Sequence, residues 1–277
     1  MTQKVFLVDA FMDGPYSGAP TAVVFLNEPV EKLKMSSLAS ELGCQETVFL
    51  LDTHGGFLLR FFSLVQEVPL SIHSCLAAAH LIYELATRPP DNPIKFHTQE
   101  GEISASLADD QKGINLIAAS QLLAKLDQAR LEQFRDILGL KPNDVAWAAL
   151  TPQKVIVLCL ESLELLKNAR VKLDELINAP VQGLAITSAS PQSDCDYFIR
   201  AFLPILGIPE EQVSGNIHRS LAPQWGRLLQ KKSLVCRQLS RRGGRVNLDL
   251  VNPNQVAFSG RTKTVLKAII LSDDYMD

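Results

Sequence analysis

The chain has 277 residues, of which 47% are hydrophobic and 21% charged, and a formal net charge of -3. This is ordinary globular composition, long enough for one large domain or, more naturally, two of ordinary size. The charge excludes a long-range field that would draw the protein to nucleic acid or an anionic membrane; Lys231-Lys232 and Arg241-Arg242 are only local basic spots.

In chain order, strands over residues 5–11 and 21–26 flank the turn residues Asp13-Gly14-Pro15 and Ser17-Gly18-Ala19-Pro20 and should form an antiparallel hairpin. Pro29 opens a helix with Val30, Leu33, Leu38 and Leu42 on one face, closing at Gly43. Cys44-Gln45-Glu46 forms the polar edge of a strand over 47–51. A strand containing Arg60 follows, then a bend at Glu67-Val68-Pro69-Leu70 and an Ala-rich helix over 71–86. The loop 88–93, rich in proline, cannot continue that helix. Two strands surround Gly101, and a hairpin turn over 108–113 leads into a strand at 114–117.

A domain boundary is expected near 118–126, giving domains over 1–118 and 119–277, with the last strand able to cross back to the first. The second part should contain a helix over 131–140, strands over 145–149 and 155–160, short helices at Leu163-Leu165-Leu166 and Leu173-Leu176-Ile177, and a strand over 183–187. A core unit over 196–251 follows, with a helix opening at Ser214-Gly215-Asn216, and strands near Val256 and over 265–271 close the chain. Frequent strands interrupted by one or two long helices per half indicate a mixed α+β fold. Gly-x-Gly-x-x-Gly and Walker A patterns are missing, so nicotinamide or ATP dependence has no support.

The first amino acids run straight into a strand without a signal-like apolar core, and no apolar run reaches the roughly 18 to 20 residues of a membrane span. A cytoplasmic location is expected. The five cysteines, Cys44, Cys75, Cys159, Cys195 and Cys236, are odd in number and scattered, which supports neither a disulfide framework nor a zinc site.

The stretch from Arg60 to Leu85 has an echo from Arg200 to Leu229: a strand, a proline bend and a polar helix start recur in the same order. The echo continues from Phe96-His97-Thr98 to Cys236-Arg237-Gln238, each followed by glycine and another strand. A repeat at this spacing suggests two related halves, not a solenoid. Polar residues at a helix start meet unpaired backbone N–H groups and a partial positive charge, which favours an anion there.

Several side chains could carry chemistry. Glu46 lies behind apolar flanks that can raise a carboxyl pKa, although a lone glutamate is ordinarily a solvated strand-edge residue. His73 at a helix start would be kept neutral, although a lone histidine is more often structural. Glu210 reads better as a helix cap than as a catalyst, while Glu211 is open to either role. Asp9, Arg60, Arg200 and Gln238 sit in or beside apolar strands, where they satisfy buried backbone or pair with carboxylates. His54, His80, His97 and His218 form no metal-ligand spacing.

Taken together, Val8-Asp9-Ala10-Phe11, Gly18-Ala19-Pro20-Thr21, Gln45-Glu46-Thr47, Arg60-x-Phe62, Ile72-His73, Arg200-x-Phe202-x-Pro204, Gly207-Ile208-Pro209-Glu210-Glu211 and Arg242-Gly243-Gly244 resemble the phenazine-biosynthesis isomerase (PhzF-like) family over nearly the whole chain. The resemblance implies two pseudo-symmetric diaminopimelate epimerase-like domains, each a mostly antiparallel sheet wrapped around a central helix, with the active site between them. It implies a proton moved between carbons of a small carboxylate-bearing metabolite, as in isomerisation of trans-2,3-dihydro-3-hydroxyanthranilate, without a cofactor or metal, in a possible homodimer.

By the same resemblance Glu46 is the general acid/base, His73 and Glu211 orient substrate or relay protons, and Ser71, Ser74, Ser214, Gly215 and Asn216 bind substrate. Related racemases use two cysteines at the helix starts. Here Ser71 and Ser214 stand in those places, and a hydroxyl is too weak an acid for that exchange. Ala19, Ile72, Gln212 and Asn216 depart from the family pattern, so the pocket is expected to differ in shape. The alternative is a non-catalytic descendant that binds a small molecule or a protein.

Overall fold

The computed structural model describes residues 3–89, 91–108, 113–190 and 194–271. They fall into two compact units, Met1–Ala118 with Ala257–Asp277, and Ala119–Val256.

The first unit opens with β1 (Gln3–Met12) and β2 (Ala19–Leu26), antiparallel with Val5 opposite Val24 and Ala10 opposite Ala19. Their connection is held by Ser17, whose hydroxyl accepts from the N–H groups of Asp13 (2.8 Å) and Gly14 (2.9 Å) and donates to the Gly14 carbonyl (2.8 Å). Gly18 follows at φ +85, where a Cβ would lie 2.4 Å from the Ala10 carbonyl oxygen.

Helix α1 (Lys32–Leu42) starts three residues later than Pro29 suggested. Leu33 is 75% exposed, and the buried face is Met35, Leu38 and Ala39. The left-handed Gly43 ends it, as expected. Strands β3 (Glu46–Thr53), β4 (Gly56–Ser63) and β5 (Glu67–Val68) lead to α2 (Ile72–Glu84). Strands β6 (Ile94–Thr98), β7 (Gly101–Leu107) and β8 (Ile114–Ala119) complete the run. Most of the turn placed at 108–113, residues 109–112, lies outside the described residues, as does Pro90 of the preceding loop.

In the second unit β9 (Ala124–Lys125) precedes α3 (Gln128–Leu138), which begins before the expected position 131 because the Asp127 carboxylate accepts from the Arg130 N–H at 2.8 Å. Then come β10 (Val145–Leu150), β11 (Val155–Leu160), α4 (Leu163–Asn168), α5 (Leu173–Ile177), β12 (Gly183–Ala189) and β13 (Tyr197–Phe202). Helix α6 (His218–Leu229), β14 (Ser233–Gln238) and β15 (Gly244–Asn252) follow. The closing strands expected near Val256 and over 265–271 are one strand, β16 (Gln255–Ile270), because it pairs along β1 from Arg261 opposite Met12 to Ile270 opposite Gln3.

Strand order in the first unit is β1-β2-β3-β4-β6-β7-β8-β16, with β16 pairing back on β1, so the sheet closes on itself. Helix α2 is the matching core element: ten of its side chains are buried, including Cys75, Ala77, Ala78 and Leu81. A helix apolar on nearly all sides must be enclosed. The second unit has the order β15-β14-β13-β12-β11-β10-β9. An apolar cluster of Phe134, Ile137, Leu166 and Leu176 from its helices covers one face of that sheet through Ile156, Leu158, Ile186 and Phe198.

The internal repeat is visible in strand polarity. From β1 to β7 the successive pairings β1–β2, β2–β3, β3–β4, β4–β6 and β6–β7 are antiparallel, parallel, antiparallel, parallel and antiparallel. From β10 to β15 the five pairings repeat that order. Helices α2 and α6 occupy corresponding connections.

The repeat reaches side chains as well. Arg60 pairs with Glu67 at 2.7 Å and lies over the Phe62 ring at 5.5 Å; Arg200 pairs with Glu210 at 2.7 Å and lies over Phe202 at 5.0 Å. Glu210 is thus an ion-pair partner and not a helix cap.

Candidate active site

Glu46 begins β3, beside Thr21 of β2 and Ser63 of β4. Its side chain turns away from water, and the residue is 6% exposed. The Ser74 hydroxyl donates to Glu46 Oε1, and the Ser71 hydroxyl also hydrogen-bonds the carboxyl. Both serines belong to the start of α2, where Ser71 is the N-cap and accepts from the Ser74 N–H at 3.3 Å. His73 Nδ1 lies 3.4 Å from Ser71 Oγ, and His73 Nε2 lies 3.7 Å from Glu46 Oε1. The structure therefore gathers Glu46, Ser71, His73 and Ser74 into one buried cluster. The residue between the two polar positions, Ile72, is fully buried.

Burial pushes the Glu46 carboxyl up to about 7, against the lowering effect of the Ser71 and Ser74 hydroxyls. Removal from water penalises the carboxylate more than two hydroxyl bonds restore. A carboxyl so placed takes up and gives back a proton near neutral pH, which is the requirement for acid/base chemistry at a carbon.

In the second unit, Glu211, Ser214, Gly215 and Asn216 lie on a loop before α6, not at its first residue. The helix begins at His218, and the turn before it is closed by the N–H groups of His218 and Arg219 donating to the carbonyls of Gly215 (3.2 Å) and Asn216 (3.1 Å). The expectation that Ser214-Gly215-Asn216 opens the helix is corrected accordingly.

Gln238, on β14 and 2% exposed, braces this loop. Its amide donates to the Glu211 carbonyl at 2.7 Å, and its Oε1 accepts from the Ser214 N–H at 2.9 Å. Gln212 ties the same loop to the following turn, since the Ser240 hydroxyl donates to its carbonyl (2.5 Å) and the Arg242 N–H to its Oε1 (3.1 Å). The sequence marks Gln238 as a polar residue in an apolar strand, but not as the brace of the Glu211 loop. That polarity was the available signal.

The repeat also shows what the second unit lacks. Phe49 faces Arg60 across β3–β4 and Ile186 faces Arg200 across β12–β13, so the counterpart of Glu46 is Gly183. A Cβ there would lie 2.4 Å from Leu203 Cδ2 and from the Phe202 carbonyl oxygen. The repeat therefore carries a buried carboxyl at this position in the first unit and no side chain at it in the second.

Asp9 is buried on β1, 2% exposed. His218 Nδ1 meets the Tyr197 hydroxyl at 2.8 Å, and burial pushes the imidazole down to about 3, so it stays neutral. Four of the five cysteines are buried, and burial raises the Cys159 thiol to about 12. Among the described residues no group of three His, Cys, Asp or Glu side chains could hold a metal ion, and no helix is long and apolar enough to cross a membrane.

A family model described as phenazine biosynthesis-like protein matches residues 8–268. The chain is 30% identical to an uncharacterized isomerase of Halalkalibacterium halodurans over 98% of its own length and 99% of the relative's. It is 33% identical to an uncharacterized isomerase of Pseudomonas aeruginosa over 86% and 87%. A crystal structure of an Enterococcus faecalis phenazine biosynthesis protein of the PhzF family superposes with a TM-score of 0.86 at 25% identity, covering 98% of this chain and 100% of that one. A hydroxyproline epimerase of Agrobacterium vitis shares the fold alone, with a TM-score of 0.65 at 12% identity over 99% and 94% of the two chains. The chain has the α+β fold common to this family and to epimerases, and it belongs to the phenazine biosynthesis-like protein family.

Proposed function

We propose that the protein is an isomerase that moves a proton within a small carboxylate-bearing metabolite by general acid/base catalysis at Glu46. The observation that carries this reading is the buried Glu46 carboxyl, raised to about 7 and gripped by hydroxyls at the N-terminus of α2. Relatives named isomerases support the reaction class. His73, 3.7 Å from the carboxyl, is the neighbour able to exchange a proton with it. From the family resemblance we assign Glu211 to orienting substrate or relaying protons, and Ser214, Gly215 and Asn216 to substrate binding. Gly183 in the counterpart position and serines at 71 and 214 argue against two-base racemisation. A cytoplasmic homodimer working without a cofactor is part of the same proposal.

The test is proton exchange in D₂O. Wild type and Glu46→Gln are incubated with trans-2,3-dihydro-3-hydroxyanthranilate and a panel of small unsaturated hydroxy- and amino-carboxylates, and deuterium at carbon is read by NMR. Exchange by wild type, lower by at least about 10²-fold in Glu46→Gln, is expected from the usual contribution of a positioned acid/base. Equal exchange by the two proteins removes Glu46 from the mechanism. Tight binding of a panel member without exchange favours a binding protein instead.

A further inference from the structure

Thr21 is the neighbour of Glu46 that no role yet accounts for. The two are register partners in the parallel β2–β3 pair. Side chains at paired positions leave the sheet on the same face, about 5 Å apart at Cβ. Thr21 is fully buried, and its Oγ1 meets no hydrogen-bond partner. Buried hydroxyls without partners are rare because the lost hydration is not replaced. Across the other edge of β3, Ser63 also faces Glu46, but its hydroxyl is committed to the Gln66 carbonyl at 3.1 Å. Thr21 therefore has an uncommitted donor one strand away from a carboxyl whose charge changes.

We propose that Thr21 is a positioning residue for Glu46: when the carboxyl ionises, the Thr21 hydroxyl rotates to donate a hydrogen bond to it, and it is released again when the carboxyl is protonated. The titratable group facing Glu46 from α2 is His73. Arg60 on β4 stands opposite Phe49, an odd number of residues from Glu46, and so leaves by the other face. Asp52 shares the face but lies six residues along β3, roughly 20 Å away. The proposal takes from the functional reading only the choice of Glu46 as the group served.

The test follows Glu46 itself and needs no substrate. The full chain is labelled for ¹³C-carboxyl NMR, and the Glu46 signal is identified by its loss in Glu46→Gln. Titration of wild type, Thr21→Val and Thr21→Ser then gives three midpoints. Loss of a donor to the ionised form raises the midpoint, by about one unit in Thr21→Val, while Thr21→Ser restores it to within a few tenths. An unchanged midpoint in folded Thr21→Val overturns the proposal, and so does a shift that Thr21→Ser fails to restore, since that would be a packing effect. Thr21→Ala replaces the valine variant if the latter does not fold, with the same outcomes. A rescued shift in a protein whose Glu46→Gln variant keeps full deuterium exchange supports the Thr21 role and rejects only the catalytic reading.

Discussion

His73 Nε2 stands 3.7 Å from Glu46 Oε1, with both side chains less than 10% exposed. That separation exceeds a hydrogen bond by roughly 0.7 Å. The two groups are therefore poised beside each other without being locked together, while the Ser71 and Ser74 hydroxyls hold the carboxyl from the helix start. The cluster has measurable consequences even before a substrate is known.

The first concerns pH and stability. Glu46 has its proton affinity raised to about 7 in the folded protein against an ordinary 4.5. The folded state therefore binds the extra proton between those values. The stability this provides is complete below about pH 4.5 and is lost as pH rises through 7. Urea unfolding from pH 4 to pH 8 should show wild type losing on the order of 3 kcal/mol relative to Glu46→Gln across that window. Parallel curves for the two proteins would show that the carboxyl is not desolvated.

Ser74→Ala should push the Glu46 midpoint higher still. The hydroxyl stabilises the ionised carboxyl, so its loss favours the protonated form. With Glu46 as the proposed acid/base, the corresponding limb of the pH–rate profile should move to higher pH by about one unit, with a smaller effect on the plateau rate.

Gln238→Leu should destabilise the second unit by about 2–4 kcal/mol. The substitution leaves the Glu211 carbonyl and the Ser214 N–H without their partner in a buried place. Thermal melting reads this directly. A variant with wild-type melting would show that the loop does not depend on this brace.

The two arginines of the repeat should differ on removal. Arg200 Nη1 also donates to the carbonyls of Leu166 (3.2 Å) and Ala169 (2.9 Å), whereas Arg60 pairs with Glu67 alone among its hydrogen-bond partners described above. Arg200→Met is expected to cost about 3 kcal/mol or more, because it removes the ion pair with Glu210 together with the donor to two carbonyls. Arg60→Met should cost less, since Glu67 keeps Lys32 at 2.9 Å. Denaturant midpoints of the two variants compare them.

Gly18→Ala tests the tightest turn. A methyl group there meets the Ala10 carbonyl at 2.4 Å in a left-handed backbone conformation. Those two penalties together should exceed about 2 kcal/mol, read as a fall in the unfolding midpoint.

Much of the architecture is legible in the amino-acid sequence because it is written in local patterns. The hairpin at Gly18, the Gly43 helix stop, the Ala-rich α2 and the Arg-x-Phe echo at positions 60 and 200 each rest on neighbours in sequence. Helix starts were less readable. Asp127 and the turn before His218 moved α3 and α6 because capping depends on backbone geometry as well as residue type.

The amino-acid order by itself determined the α+β class, the repeated strand–bend–helix unit, and the candidate status of Glu46, His73 and Glu211, since these follow from periodicity, turn chemistry and motif order. Only the tertiary structure decided that Glu46 is withdrawn from water against Ser71 and Ser74, that Gly183 leaves its counterpart empty, and that Gln238 holds the Glu211 loop. These facts depend on pairing between strands distant along the chain, and desolvation belongs to the packed surroundings of a group, not to its sequence neighbours.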